Sequence, residues 1–236
     1  MKEKVLGIVG GMGPEASARL YMKIIKATKV KKDQDHFRLI IDSNPKIPDR
    51  TKAILGQGES PVPEIIATVK NLERMGVELA CIPCITSHYF YEDILRDTNV
   101  EIIHALKELK AYIETQYPGV KKIGVLATTG TMSTKIFDTH LSGMDILYPD
   151  VEIQETHVME AIYGEGTGIK SGVTEGLPVE KLIYAGEHVI KKGAELVVLG
   201  CTEIGLVLQE NSLTKPSVDP MDVMAMAMVR KGRSSV

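Results

Sequence analysis

Two cysteines occupy equivalent places in two halves of this sequence. Cys84 and Cys201 are 117 residues apart (201 − 84 = 117), and four pairs of identical residues share that separation. These pairs are Gly7 with Gly124, Gly13 with Gly130, Pro61 with Pro178 and Gly76 with Gly193. Five matches at one separation indicate an internal duplication, since a repeated unit preserves its spacing. Each half therefore carries one cysteine at the same place.

A matched pair of thiols suits one kind of chemistry. Inverting a stereocentre at Cα requires a proton to leave one face and another to arrive on the opposite face. Two acid/base groups of similar kind must then flank the substrate, and a duplicated fold supplies them as Cys84 and Cys201. The alternative is that each cysteine is a small buried apolar residue at a strand end. Their equivalent positions favour the chemical interpretation.

The segments around the cysteines predict parallel strands alternating with helices. Continuous apolar runs are typical of strands buried on both faces, and they lie at Val5–Val9, Leu79–Ile82, Ile123–Leu126 and Leu196–Leu199. Apolar residues at three- and four-residue spacing predict helices over Glu64–Met75 and Glu180–Lys192, each followed by a glycine stop. We expect an α/β fold of two pseudo-symmetric doubly wound parallel-sheet domains, with the active site in the cleft between them.

The domain boundaries follow from two further helical segments. Ile102–Tyr117 and Pro220–Lys231 are equivalent at the repeat separation, and either could cross to the other half. We expect a first domain over residues 1–104 plus 217–236 and a second over residues 105–216.

The ends of the predicted strands provide candidate substrate-binding groups. In open parallel sheets, ligands bind beyond the carboxyl ends of the strands, where the helix dipole also favours a thiolate. Backbone N–H groups after the first strand of each half, at Gly10–Gly13 and Thr128–Thr131, can bind a carboxylate. The candidates that follow are Met12, Gly13 and the hydroxyl-bearing Thr86, Ser87, Thr129 and Thr202.

Five motifs resemble the cofactor-independent aspartate/glutamate racemase superfamily, and within it the aspartate racemase branch, over nearly the whole chain. They are Gly10-Gly-Met-Gly-Pro-Glu-Ala16, Asn44-Pro-Lys-Ile-Pro-Asp-Arg-Thr51, Cys84-Ile-Thr-Ser-His88, Ala127-Thr-Thr-Gly-Thr131 and Gly200-Cys-Thr-Glu-Ile204. The resemblance implies an isomerase that racemises aspartate without pyridoxal phosphate or metal, with Cys84 and Cys201 as the acid/base thiols. It also implies a homodimer.

The resemblance assigns roles to four more residues. Arg50 matches the arginine that holds the substrate's side-chain carboxylate, and Lys170 looks like the lysine that assists it. Asp49 and Glu203 match acidic residues that orient the site and tune the thiols. Glu203 also favours the aspartate branch, because the glutamate branch usually carries His at that place.

Ile85 departs from the family pattern, which has Asn after the first cysteine. An aliphatic side chain neither donates nor accepts, so a substrate contact worth about 1 kcal/mol is absent. Two alternatives therefore stay open. The chain racemises glutamate or a neutral amino acid, or it is an inactive amino-acid-binding homologue.

Composition and charge exclude several other classes of function. The formal net charge of −3 gives no basic field for nucleic acid or an anionic membrane surface. The apolar runs fall short of the ~20 residues that span a bilayer, and the N-terminus has no signal-peptide pattern. Three cysteines are too sparse for a disulfide scaffold. We expect a cytoplasmic protein that binds a small amino acid.

Three other motifs compete with this interpretation. Cys81-Ile-Pro-Cys84 has the spacing of a redox or zinc pair, but Cys81 falls inside an apolar run and no second pair accompanies it. Gly11–Ala16 has the outline of a dinucleotide fingerprint, which leaves the paired cysteines unexplained. His88 could be the base of a Cys/His hydrolase or decarboxylase, although a histidine there more often orients a loop.

Overall fold

The computed structural model describes residues 3–209 and 211–233. Within them the chain forms two four-stranded parallel sheets. The strands of the first are β1 Leu6–Gly10, β2 Leu39–Ser43, β3 Leu79–Cys81 and β4 Glu101–Ile103. The strands of the second are β5 Lys122–Leu126, β6 Asp145–Leu147, β7 Leu196–Leu199 and β8 Ser217–Val218. The predicted α/β class with two parallel sheets is confirmed.

Both sheets have the same strand order, and their first and third strands pair in the same register. The orders are β2-β1-β3-β4 and β6-β5-β7-β8. In the first sheet Ile8 pairs with Cys81, and in the second Val125 pairs with Val198. Adding 117 to the first pair gives the second, so the repeat seen in the sequence is a repeat of structure.

In both halves helices alternate with the strands. The first half contains α1 Pro14–Thr28, α2 Arg50–Ile54, α3 Val62–Arg74, α4 Tyr91–Leu95 and α5 Ala105–Gln116. The second contains α6 Thr129–Ser133, α7 Ile136–His140, α8 Val151–Ile153, α9 Glu160–Tyr163, α10 Leu177–Lys191 and α11 Ile204–Val207, and α12 Pro220–Arg233 ends the described chain. A π-helical segment, Gln154–Met159, joins α8 to α9, and short 3-10 turns lie at Asp33–Asp35, Ile85–Phe90 and Ile169–Ser171.

The chain divides into two compact units. One comprises the residues up to Leu109 together with those from Met221 onward, and the other comprises Lys110–Pro220. The unit that contains β1 has a core of Val9, Ile65, Val69, Leu72 and Ile82. The unit that contains β5 has a core of Leu126, Leu182, Val189, Val197 and Leu199.

The repeated glycines have a packing reason. A Cβ on Gly7 would lie 2.7 Å from Val77 Cγ1, and one on Gly124 would lie 2.6 Å from Val189 Cγ2. In each half the missing side chain lets residues of the neighbouring helix, or of the turn after it, approach the first strand closely. Gly76 and Gly193 end α3 and α10 with φ of +84° and +107°, a conformation that glycine adopts without strain.

One predicted helix begins later than expected. The apolar pair Ile102 and Ile103 belongs to β4, where it pairs with Ala80 and Cys81 of β3, and α5 starts only at Ala105. The short apolar run fits a helix or a strand equally well, and the sheet takes it because both isoleucines are then buried.

The halves differ in their connections. Residues 11–38 join β1 to β2, whereas the shorter segment 127–144 joins β5 to β6. The following segments compensate for this difference: residues 44–61 join β2 to α3 in the first half, and the longer segment 148–176 joins β6 to α10 in the second. The separation of 117 therefore holds at the first and third strands and fails between them. Among the described residues, none of the helices is both long and apolar enough to cross a membrane.

Candidate active site

Cys84 lies at the end of the loop that follows β3 and precedes the 3-10 turn Ile85–Phe90. Its side chain is buried, and its carbonyl accepts the Ser87 N–H at 3.1 Å. The same carbonyl lies 3.2 Å from His88 Nδ1, while His88 Nε2 accepts the Ala105 N–H at 3.1 Å. Because Nε2 is an acceptor, the ring proton is on Nδ1 and is donated to the Cys84 carbonyl. His88 therefore holds the backbone of Cys84 against the start of α5.

The loop after β1 meets this turn. The Ser87 hydroxyl donates to Met12 Sδ at 3.4 Å, and both side chains are buried. Gly13 caps α1, and its carbonyl accepts the Ser17 N–H at 3.2 Å. Thr86 and Ile85 are also buried beside Cys84. The structure thus brings Met12 into contact with Ser87 within the first unit and fixes Gly13 at a helix N-terminus.

Asp49 and Arg50 are held by their own segment. The Asp49 carboxylate accepts the Lys52 N–H at 2.8 Å and so caps α2. Arg50 is the first residue of α2, and its Nη1 donates to the carbonyls of Ile47 at 3.3 Å and Pro48 at 3.0 Å. The observed contact of Asp49 is a helix cap, and its predicted influence on a thiol stays a prediction.

Cys201 follows β7 and belongs to a hydrogen-bonded cluster. Its Sγ donates to Glu203 Oε2 at 3.0 Å, and the Thr202 hydroxyl donates to the same oxygen at 2.8 Å. Lys170 Nζ donates to the other oxygen, Oε1, at 2.5 Å. The three predicted residues Lys170, Thr202 and Glu203 therefore meet at this cysteine, within the second unit.

The cluster sets the protonation of its members. Burial and the negative charge of Glu203 raise the pKa of Cys201 well above that of an ordinary thiol. Burial alone would raise the pKa of Glu203 as well, but the ammonium of Lys170 and the hydrogen bonds from Cys201 and Thr202 outweigh it and lower that pKa. At neutral pH the cluster therefore holds a protonated thiol, a carboxylate and an ammonium.

Thr129, the remaining predicted residue, lies at the start of α6. Its hydroxyl donates to Glu155 Oε1 at 2.7 Å and accepts from Gln154 Nε2 at 3.4 Å. Its N–H points to Met159 Sδ at 3.3 Å. Both polar groups of Thr129 are engaged by the segment that joins α8 to α9.

The two cysteines have different neighbours. At the repeat separation of 117, Glu203 corresponds to Thr86 and Thr202 corresponds to Ile85. Only the second cysteine therefore has a carboxylate two residues further on. Cys81 is the last residue of β3 and is fully buried, and burial raises the pKa of its thiol to about 12. That environment is typical of an inert core cysteine rather than of a redox pair with Cys84.

The sequence did not reveal two contacts at these cysteines. The ion pair of Lys170 with Glu203 joins segment 148–176, where the repeat fails, to the loop after β7, so no spacing signalled it. Only the position of His88, four residues or about one helical turn after Cys84, indicated its hydrogen bond to the Cys84 carbonyl.

The chain thus has two parallel-sheet units of the same strand order, each with a buried cysteine after its third strand. The sequence pattern of the family described as Asp/Glu/Hydantoin racemase matches residues 9–228. The chain belongs to this family and is accordingly an isomerase of the amino-acid racemase class.

Individual relatives agree with this membership. The broad-specificity amino-acid racemase RacX of Bacillus subtilis is 26% identical over 231 residues, which cover 95% of this chain and 96% of that protein. The structure of Picrophilus torridus aspartate racemase has a TM-score of 0.83 at 24% identity and covers 99% of this chain and 96% of its own. An aspartate racemase homologue from Pyrococcus horikoshii has a TM-score of 0.77 at 24% identity, covering 98% and 100%. These likenesses support the fold.

Proposed function

We propose that this protein is a cofactor-independent aspartate racemase in which Cys84 and Cys201 are the two acid/base groups. The observation that carries the proposal is the state of Cys201, a buried thiol whose proton is held in a hydrogen bond to Glu203. A two-base racemase needs one protonated and one ionised group at the start of each turnover. Cys201 supplies the protonated one.

The reaction moves two protons. The Cys84 thiolate removes the Cα proton from one face, which forms an S–H bond and leaves the electron pair on the substrate. The Cys201 thiol then gives its proton to the opposite face and becomes the thiolate. The next turnover in the same direction requires the protons to be exchanged back, while the other enantiomer uses the pair in reverse. No pyridoxal phosphate is required, because the cysteines account for both transfers.

The developing charge must be stabilised at the α-carboxylate, since the Cα proton is very weakly acidic. Candidate donors are the backbone N–H groups of Met12 and Gly13 and the hydroxyl groups of Thr86, Ser87, Thr129 and Thr202. In the structure Thr129 and Thr202 donate to Glu155 and Glu203. They would have to exchange those partners for the substrate.

Arg50 and Lys170 are the candidate cations for the side-chain carboxylate of aspartate. Two backbone carbonyls position the Arg50 guanidinium, which suits bidentate binding of a carboxylate. In this account Asp49 acts by capping α2 and so fixing the segment that carries Arg50. The protein would work in the cytoplasm as a homodimer.

A second candidate function is a broader amino-acid racemase. It is favoured by Ile85, which is buried beside Cys84 where the family pattern has Asn. It is also favoured by the relative named as a broad-specificity amino-acid racemase.

Chiral chromatography of the products from a panel of L-amino acids decides between these functions. The proposal predicts D-aspartate as the fastest product, whereas faster inversion of neutral amino acids would favour the second candidate. An inactive binding homologue would bind amino acids and exchange no Cα hydrogen with deuterated water.

A further inference from the structure

Lys170 lies at the boundary between a buried carboxylate and the protein surface. It belongs to the 3-10 turn Ile169–Ser171, and its side chain is 30% exposed, whereas that of Glu203 is 8% exposed. Its ammonium also lies 5.4 Å from the centre of the Tyr163 ring. An ammonium on a flexible four-carbon stem can change partners without a movement of the backbone.

The two oxygens of Glu203 serve different partners. Oε1 accepts from Lys170, and Oε2 accepts from the thiol of Cys201. A proton can pass from sulfur to Oε2 along this existing bond, so that the S–H bond breaks and an O–H bond forms. Negative charge then moves from the carboxylate to the sulfur. Lys170 lowers the pKa of both the thiol and the carboxyl group. Its net effect opposes the transfer, because its ammonium contacts the carboxylate and stabilises negative charge there most.

We propose that Lys170 is a gate for Cys201. While Lys170 contacts Glu203, the carboxylate stays ionised and the proton stays on sulfur; the side-chain carboxylate of an acidic substrate draws Lys170 away, and proton transfer from sulfur to Glu203 then becomes easier in the direction of turnover in which Cys201 is the base. This inference rests on the proposed racemase function. It makes Lys170 a positioning residue that acts through Glu203.

The gate has a consequence for substrate choice. An acidic amino acid would both bind and activate the site, whereas a neutral one would bind without releasing Lys170. The side-chain carboxylate would then increase turnover as well as affinity, because its binding energy is used to reach the reactive protonation state. Discrimination would appear in kcat and not only in KM.

The gate can be tested by supplying the side-chain carboxylate as a separate molecule from the amino acid. L-Alanine lacks the side-chain carboxylate, and acetate can supply one. We expect acetate to raise, in a saturable way, the rate at which the wild type exchanges Cα hydrogen for deuterium in the alanine enantiomer whose proton Cys201 removes, with L- and D-alanine both measured by mass spectrometry in deuterated water. Lys170→Met should exchange alanine faster than the wild type without acetate, by about tenfold or more if the lost ion pair is worth one pKa unit. Acetate should then have no further effect.

Two further variants show whether Lys170 acts through Glu203. In a Glu203→Gln background, Lys170→Met should leave alanine exchange unchanged, since the two substitutions would interrupt the same path. Lys170→Arg should restore the acetate response. Lys181→Met is the matched control, because Lys181 lies in the same unit, forms an ion pair with Glu160 at 3.9 Å and is 24% exposed. It should behave as the wild type does.

The outcomes separate the gate from the function on which it rests. If the wild type racemises aspartate and both cysteines are required, but Lys170→Met exchanges alanine no faster than the wild type, the gate is wrong and the racemase stands. The gate is equally wrong if acetate has the same effect with and without Lys170. If the wild type does not invert aspartate, the proposed aspartate racemase function and the gate are both wrong.

Discussion

Cys201 Sγ lies 3.0 Å from Glu203 Oε2, and the thiol donates its proton to the carboxylate. The corresponding neighbour of Cys84 in the repeat is Thr86, which carries no charge. A duplicated fold has therefore given its two thiols different surroundings. Racemisation requires an acid and a base at any one moment, so this difference is a functional one in the mechanism proposed above.

Replacing Glu203 should make Cys201 ionise more readily. The carboxylate raises the pKa of the thiol through its negative charge and by accepting the thiol proton, and Glu203→Gln removes the charge while keeping the size. We expect the inflection in the rate of Cys201 alkylation by iodoacetamide to move to lower pH, measured in a Cys84→Ala background. Because the thiol is buried, the pH of this inflection should stay above the value for a free thiol.

Glu155→Gln is the control for this shift, since Glu155 bonds Thr129 elsewhere in the same unit. It should leave the alkylation profile unchanged. An inflection that stays in place or rises in Glu203→Gln would mean that the carboxylate does not govern the thiol.

Arg50 should discriminate acidic from neutral substrates. Arg50→Ala removes a guanidinium able to bind a carboxylate bidentately, and charge-assisted bonds of this kind are worth about 1.5–3 kcal/mol. We expect kcat/KM for aspartate to fall by roughly tenfold to a hundredfold, with little change for alanine. Lys52→Ala, an exposed cation on the same helix, should leave both rates unchanged. Equal losses on both substrates would assign Arg50 a structural role.

Ile85 should limit activity on aspartate. Ile85→Asn can restore a hydrogen bond beside Cys84, and a bond that strengthens in the transition state would raise kcat about tenfold per 1.4 kcal/mol. Ile85→Leu keeps an apolar side chain of similar volume and should not raise it. The check is to measure kcat of the wild type and both variants on aspartate, glutamate and several neutral amino acids. If Ile85→Asn lowers the turnover of a neutral substrate and does not raise that of acidic ones, the result would favour the broader racemase.

Much of the fold could be predicted from the repeat and from the buried strands. The runs at β1, β3, β5 and β7 are apolar throughout because these strands occupy inner positions of their sheets, with a neighbour on each side. The edge strands β2, β4, β6 and β8 are shorter or partly exposed, and their patterns are weaker. Ile102 and Ile103 illustrate the difficulty, since only the partner strand decides that they form β4.

The sequence supplied candidate site residues, whose roles stay predictions, but it did not supply their contacts. The hydroxyl of Thr202 and the family resemblance of Lys170 and Glu203 made these residues candidates, yet neither indicates that Lys170 binds Glu203 and not only a substrate. That contact depends on how the long segment 148–176 folds, and the segment has no counterpart of equal length in the other half. Local spacing carries no information on such a long-range ion pair.

The two-thiol mechanism can be tested by measuring exchange and inversion separately in single-cysteine variants. L- and D-aspartate are incubated in deuterated water with Cys84→Ala or Cys201→Ala, and deuterium at Cα and chirality are read from the same samples. Each remaining thiol reaches one face, so we expect one variant to exchange one enantiomer, the other variant to exchange the opposite one, and neither variant to invert its substrate. Cys81→Ala, a control for a buried thiol outside the mechanism, should racemise both. Interconversion of the enantiomers at the wild-type rate by either Cys84→Ala or Cys201→Ala would contradict the two-thiol mechanism.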